Sequence, residues 1–371
     1  MIYNWQQPDW PDFKYDLGVT EDILSAFTEE SGRTGGMLNA MSEGQQMETA
    51  ISTMVTEAIK TSEIEGEYVS RQDVVSSIRN NLGLNKNPEV IKDKKAQGVG
   101  KVMVEVREQF AAPLTEQNLC HWHELLMADT RNIQTGEWRT HEDPMQVVSG
   151  PLGQQKVHFE APPSAQVPIE MKAFIQWFND TAPGQKKEIK KAPVRSAIAH
   201  LYFESIHPFE DGNGRIGRAI AEKALSQTLG RPVLLSLSRT IDADKKAYYE
   251  ALEKASKSNE ITKWINYFAG TVYMAQKQTN LLIDFTLKKA LFFDSFSDQL
   301  NERHLKVIKR MMDAGPDGFQ GGMNANKYLS LTKVSKATAT RDLQYLSEIK
   351  ALIAEGGGRS TRYILNMDIA K

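Results

Sequence analysis

Twelve consecutive residues, "HPFEDGNGRIGR" from His207 to Arg218, concentrate a histidine, two acids, three glycines and two arginines. Histidine is the side chain that titrates near neutral pH, which suits His207 to general-base work. Asp211 stands just before the glycines, where a single carboxylate can share Mg2+ with phosphate oxygens. Gly212 and Gly214 permit close backbone approach, and a Gly-rich turn entering a helix offers unpaired N–H groups at the positive end of its dipole. Asn213 adds an amide donor. Arg215 and Arg218 lie three apart at a helix start, so they share a face and can grip separate phosphates. The set describes a nucleotide polyphosphate site with a base beside it. A plain helix-linking turn would not gather residue types that converge on one ligand. The stretch is neither a dinucleotide-binding turn, since G-x-G-x-x-G is absent and no strand leads in, nor a Walker loop.

Apolar helical patterns must position this loop. Residues 193–206 precede it, and Arg218 to Leu229 follow until Gly230-Arg-Pro stops the helix. Upstream, Ser42 to Lys60 reads as a helix with Met47, Ile51, Val55 and Ile59 on one stripe, and Gly66 as its breaker. Helices are also expected over Lys92–Phe110, after an N-cap at Thr115, over 168–179, and in "DKKAYYEALEKASKS" and "ITKWINYFAGTVYMAQ". Gln146–Ser149 and Lys156–Glu160 lean to strand and flank a Gly/Pro turn, which predicts a hairpin. Residues 1–16 are expected to wrap a domain surface without regular structure, with Trp5 and Trp10 anchored in grooves. "HWHELLM" has Met127 where a zinc helix needs its second histidine, so His121 and His123 read as packing or surface residues.

At 371 residues the chain exceeds one ordinary core, and 40% hydrophobic with 25% charged content is that of a soluble globular protein. No apolar run reaches the length of a membrane span, so no membrane partner is expected. The N-terminus lacks a basic, apolar leader pattern, and a lone Cys120 suits a reducing compartment, which gives a cytoplasmic expectation. Residues 301–371 carry 12 Lys/Arg against 7 Asp/Glu, whereas residues 1–300 carry 33 against 40. The C-terminal segment is therefore a separate electrostatic object. Its order, three helical patterns and then a strand pair around "EGGGRSTRYIL", is that of a winged helix-turn-helix. Ser335 or Thr338 is the cap candidate of a recognition helix bearing Lys336, Thr340, Arg341 and Gln344, with Arg359 and Arg362 on the wing.

"HPFEDGNGRIGR" resembles the signature of Fic-domain proteins, H-P-F-x-[D/E]-G-N-G-R-x-x-R, at every fixed position. The resemblance covers roughly residues 40–280, and the Trp/Pro-rich head resembles the uncharacterised N-terminal segment of a subgroup of these proteins. It implies a mainly α fold, a Fic-type helical bundle with a β-hairpin flap, here with the C-terminal winged helix-turn-helix domain added. The expected organisation is 1–110 for a helical region with an inhibitory helix, 111–280 for the catalytic core, and 281–371 for a linker helix and the winged helix. The implied activity is a protein adenylyltransferase that moves AMP from ATP to a Ser, Thr or Tyr hydroxyl of a target protein. Carried over by position, His207 deprotonates the hydroxyl and Asp211 ligates Mg2+. Gly212, Asn213 and Gly214 hold the α- and β-phosphates, Arg215 the β-phosphate and Arg218 the γ-phosphate, while Phe209 anchors the loop. "TSEIEG" resembles the family's inhibitory motif, with Thr61, Glu65 and Gly66 at its fixed positions and Glu65 expected on Arg218. Tyr248 and Tyr249 fall where relatives line the adenine and ribose pocket, although Ser256 stands where many relatives have Asn. The hairpin at 146–160 resembles the flap that pairs with an extended target segment. Other readings stay open: a DNA-binding regulator whose core senses nucleotide, a de-AMPylating enzyme, DNA or protein as partner of the winged helix, and a homodimer.

Overall fold

The computed structural model describes residues 2–130, 133–150, 156–316, 318–358 and 361–368. In chain order these form α1 (Glu21–Asn39), α2 (Glu43–Ile64), α3 (Arg71–Asn81), α4 (Lys94–Glu108), α5 (Glu116–Leu126), β1 (Gln146–Ser149), β2 (Lys156–Glu160), α6 (Val167–Asp180) and α7 (Ala192–Ile206). There follow α8 (Asn213–Leu229), α9 (Leu237–Ala243), α10 (Lys245–Ala255), α11 (Thr262–Phe296), α12 (Glu302–Met312), α13 (Ala325–Thr332), α14 (Lys336–Glu348), β3 (Leu352–Glu355) and β4 (Arg362–Leu365). Two compact units result, Met1–Gly32 with Glu43–Lys277, and Arg33–Ser42 with Gln278–Lys371.

In the first unit α7 is buried along its whole length. Its sequence dictates this: apolar residues surround the helix, and Pro193 sits in the first turn, where a missing N–H costs nothing. The buried Arg195 is tolerable because its guanidinium donates to the Phe178 and Ala224 carbonyls and to Gln227 Oε1 at 2.8, 3.2 and 2.9 Å. Burial still draws its pKa down to about 10. α8 lies against α7, where Ser196 Oγ donates to the Ala221 carbonyl at 2.8 Å.

α2 runs one turn beyond the expected end, and its buried stripe differs from the sequence reading. Ile51, Met54, Val55 and Ala58 are buried, whereas Met47 is 39% exposed. At 3.6 residues per turn an i, i+4 row drifts round the helix by about 40° per step, so Met47 swings out of the face that Val55 occupies. Asp93 caps α4 by accepting from Ala96 N at 3.1 Å, and the Thr115–Asn118 capping box starts α5. α4 and α5 meet so closely that a Cβ on Gly98 would stand 1.9 Å from the Leu125 carbonyl oxygen. Residues on both sides of the expected 110/111 boundary share one hydrophobic cluster, which includes Val99 and Val102 on one side and Leu119, Phe203 and Ile216 on the other.

β1 and β2 pair antiparallel, Gln146 opposite Glu160 and Ser149 opposite Lys156, with a register shift between Val147 and Val148. Residues 151–155 of the expected hairpin lie outside the described residues. The N-terminal head holds one short 3-10 turn, Asn4–Gln6. Both of its tryptophans are seated as the sequence suggests: the Trp5 indole N–H donates to the Glu160 carbonyl at 2.7 Å, and Trp10 stands edge-on to Tyr202 at 5.1 Å.

The second unit has its own core, including Phe292, Val307, Ile308, Tyr328, Leu343 and Leu352. Of the two cap candidates for α14, Ser335 is used, accepting from Thr338 N at 3.2 Å. Lys336, Thr340, Arg341 and Gln344 are exposed along α14. β3 and β4 pair antiparallel, Arg362 is exposed on β4, and Arg359 lies outside the described residues.

Candidate active site

The chain turns out of α7 at His207, which takes the left-handed conformation (φ 51°, ψ 59°) while its N–H still closes the helix on the Phe203 carbonyl at 3.0 Å. Arg139, 2% exposed, fixes this end. Its Nε–H donates to the His207 carbonyl at 2.8 Å, and its backbone N–H donates to the Pro208 carbonyl at 2.9 Å. A cation on the last carbonyls of a helix also opposes the negative end of the dipole. Burial lowers the Arg139 pKa to about 10.

Phe209 is fully buried and stacks on His123 with ring centres 4.0 Å apart. His123 is itself a prop for the loop. Its Nδ1 accepts from Gly136 N–H at 2.9 Å, which leaves the proton on Nε2 to donate to the Asp211 carbonyl at 3.2 Å. Burial draws its pKa down to about 4. Asn213 is spent on the loop rather than left as a free amide: it accepts from Phe209 N at 2.9 Å and donates to Phe209 O at 2.8 Å. Gly212 begins α8 at φ 80°, where only glycine is unstrained, and the first intrahelical bond runs from Ile216 N to Gly212 O. The amides of the first turn of α8 consequently have no intrahelical acceptor.

A cavity of about 800 Å3 opens over this turn. Of the sequence-predicted residues, His207, Asp211, Gly212, Asn213, Gly214 and Arg218 line it, joined by Glu65, Tyr248 and Tyr249. Its volume lies within the usual range for a ligand cleft. Asp211 is half exposed there and accepts from Gly212 N at 2.5 Å. Among the described residues no group of three or more His, Cys, Asp or Glu is placed to cage a metal ion. A single carboxylate at a phosphate cradle is the donor set for an ion held jointly with ligand oxygens.

Arg218, 2% exposed, is held by the segment at the end of α2. Its Nε–H donates to Thr61 Oγ1 at 2.8 Å, and one Nη donates to the Thr61 carbonyl at 2.9 Å and to Glu65 Oε1 at 2.7 Å. Burial works against the guanidinium charge, but Glu65, Tyr248 and Glu204 together outweigh it and hold the pKa above the usual arginine value. Gly66 ends the segment in the left-handed region at φ 77°. Glu65 presses on Gly214, where a Cβ would stand 2.3 Å from its Oε1. Arg215 is not among the lining residues: it is 4% exposed and pairs with Glu67, with Asp211 at 3.5 Å.

Behind His207 lies Glu204, 8% exposed, whose Oε2 is 3.6 Å from His207 Nδ1. Burial pushes its carboxyl up, but His207, His200 and Arg218 together bring it below the ordinary value. The fully buried His200 holds the Tyr248 hydroxyl at 2.8 Å, while Tyr249 is 42% exposed in the cavity. His123, Arg139, Glu204 and Glu67 were not assigned to the site from the sequence. Each acts through a partner distant along the chain or on the next turn, and none falls in a local motif.

Residues 113–225 match the Fic/DOC family, and residues 3–84 match a domain of unknown function (DUF4172). A probable protein adenylyltransferase of Aquifex aeolicus is 37% identical over 67 residues, 18% of this chain and 19% of that protein. The protein adenylyltransferase Fic of Nematostella vectensis is 24% identical over 161 residues, 43% of this chain and 33% of that protein. This chain thus spans only a minor part of these relatives. A Fic family protein from Desulfovibrio desulfuricans G20 shares the fold, with a TM-score of 0.55 and 20% identity over 97% of this chain and 99% of that one. The matches thus give residues 113–225 the likeness of a Fic/DOC domain, in a chain whose mainly helical fold resembles that of a Fic family protein.

Proposed function

We propose that the chain is a protein adenylyltransferase that moves AMP from ATP to a hydroxyl of a target protein and is held inactive by its own α2. The observation that carries this reading is the meeting of Thr61, Glu65 and Arg218 at the mouth of a loop that also presents His207. Arg218 is the cation that a γ-phosphate needs, and Glu65 occupies it. One carboxylate–guanidinium pair then competes with a phosphate–guanidinium pair for the same fork.

In the open state the target hydroxyl approaches His207, which takes its proton as the oxygen attacks the α-phosphorus. The new O–P bond forms as the bond to the bridging oxygen breaks, and pyrophosphate leaves. Glu204, beside Nδ1, favours the imidazolium that results. Backbone amides of Gly212, Asn213 and Gly214 and the Arg218 fork meet the phosphate charge, so positioning and electrostatics carry most of the rate. Asp211 would hold Mg2+ with the phosphates, and the ion would neutralise the leaving group. Arg215 reaches a phosphate only by exchanging Glu67 for it. Tyr248 and Tyr249 flank the place for adenine and ribose. The hairpin at 146–160 is read as the flap, adding a target strand to its edge. We place the enzyme in the cytoplasm.

The exposed Lys336 and Arg341 of α14 and the positive surplus of the tail favour a second reading of the C-terminal unit, a winged helix that docks on DNA. Under it the first unit senses nucleotide with little turnover. Incubation with α-labelled ATP and cell lysate separates the two: the enzyme leaves label on protein, the sensor leaves none. A gel shift at low salt tests the DNA partner, and its absence favours a protein partner.

A further inference from the structure

Three walls of the cavity are tied together by one short segment, residues 3–7, none of which lines the cavity itself. Asn4 lies at the junction and is fully buried. Its Nδ2–H donates at 2.7 Å to the Oγ of Ser205, in the last turn of α7 and two residues before His207. Its backbone N–H donates to the Ser256 carbonyl at 2.7 Å, just past the end of α10. Its Oδ1 accepts from Trp5 N at 2.8 Å, and its carbonyl accepts from Gln7 N at 3.1 Å. Burying an amide is costly unless it is bonded, and this one directs its bonds to two helix ends.

The end of α10 needs such a partner. No glycine closes it: Ser256 stays right-handed at φ −69°, so no left-handed cap turns back on the final carbonyls. Residues 4 and 7 supply donors instead, Asn4 N–H to the Ser256 carbonyl and Gln7 Nε2–H to the Lys257 carbonyl at 2.9 Å. On the hairpin side Tyr3 stands edge-on to Phe159 at 5.1 Å, beside the bond from Trp5 to Glu160. Phe159, Ser205 and Ser256 all line the cavity, together with Tyr248 and Tyr249 of α10. Seating the segment on the surface would need only its tryptophans. The buried amide does more, because it joins the helix that delivers His207 to the helix that carries the two tyrosines.

We propose that Asn4 is a positioning residue for nucleotide binding, fixing the spacing of α7 and α10 on either side of the base and ribose. The proposal rests on the adenylyl-transfer reading, which seats the nucleoside against Tyr248 and Tyr249 and the triphosphate on the turn at 212–214. A ligand that enters between walls already set does not have to order them, and part of its affinity comes from that preorganisation. In Asn4→Ala the backbone bond to Ser256 is kept but the hold on Ser205 is lost, so the two helix ends are no longer joined through one residue. The phosphate turn is held separately, by Asn213 on Phe209 and by His123 on the Asp211 carbonyl.

The test measures binding of Mg2+-ATP and of inorganic tripolyphosphate by calorimetry, on the full chain carrying Glu65→Gly with and without Asn4→Ala. The expected result is a loss of ATP affinity of about 5- to 10-fold, with tripolyphosphate affinity changed by less than about twofold, since only the nucleoside reaches the gap between α7 and α10. Gln7→Ala, at a half-buried position, removes the second donor to the α10 end and should weaken ATP alone in the same way. It carries the test if near-ultraviolet circular dichroism shows that Asn4→Ala has lost the fold. Equal losses for both ligands, or an unchanged ATP affinity, overturn the proposal and leave adenylyl transfer standing. Failure of the Glu65→Gly chain to bind either ligand overturns both.

Discussion

Glu65 and Arg218 are joined at 2.7 Å across the turn that begins α8, and only a hydrogen atom on Gly214 leaves room for that carboxylate. Their separation of 153 positions along the chain is bridged because α2 ends beside α8, with Thr61 one turn before Glu65 adding two further bonds to the same guanidinium. Arg218 thus spends its Nε–H and one Nη on Thr61 and Glu65, and a phosphate has to displace these partners to take that edge of the fork.

Removing this carboxylate should release the enzyme. A hydrogen bond to a charged group contributes about 1.5–3 kcal/mol, which corresponds to about 10- to 100-fold in occupancy of the open state. Glu65→Gly should raise ATP-dependent labelling of lysate proteins by about that factor, read with α-labelled nucleotide. Labelling equal to wild type contradicts the brake.

His207→Ala should lower AMP transfer to a target protein by about 10²–10⁴-fold while Mg-ATP affinity, measured by calorimetry in the Glu65→Gly background, stays within a few-fold. Loss of binding together with activity would instead make His207 a structural residue.

The loop should also respond to acid through His123. Its folded pKa is about 4 against an ordinary 6.5, because burial disfavours the charged ring. The unfolded chain binds the extra proton first, so stability is present above pH 6.5 and is lost as pH falls toward 4. Protonation also removes the lone pair that accepts from Gly136. Melting temperature should drop across this window, and the drop should be shallower in His123→Gln. Identical slopes would remove His123 from the acid response.

The contact of α4 with α5 yields a prediction about the scaffold. Alanine at position 98 gains about 1 kcal/mol of helix propensity, but its Cβ would sit 1.9 Å from a backbone oxygen. Overpacking costs about 1–3 kcal/mol or more and should win, since backbone cannot swing aside as a side chain can. Gly98→Ala should lower the urea midpoint, and an unchanged or higher midpoint would refute the close crossing.

The loop at 207–218 was legible because its residues are contiguous, α7 because it is a long apolar run with a proline in its first turn, α8 because Gly230-Arg-Pro stops it, and the hairpin because two strand-leaning runs flank a Gly/Pro turn. α1 and α3 were missed: "SGRTGG" in α1 and "SSIRNN" in α3 are weak helix formers, so burial of Leu24, Phe27, Val74 and Ile78 decides what propensity does not. α11 was read only to Gln276 yet continues to Phe296. Asn213 and Arg215 show the remaining limit. A motif names side chains able to meet phosphate, but only the folded chain reveals that Phe209 and Glu67 already hold them.

The central claim is that the turn at 207–218 cradles a nucleotide triphosphate with His207 beside its α-phosphate. A crystal structure of Glu65→Gly soaked with Mg2+ and a non-hydrolysable ATP analogue tests it most directly. The account predicts the γ-phosphate on Arg218, the α- and β-phosphates on the Gly212–Gly214 amides, the ion on Asp211, and adenine toward Tyr248 and Tyr249. Nucleotide bound elsewhere, with the turn empty, would contradict it.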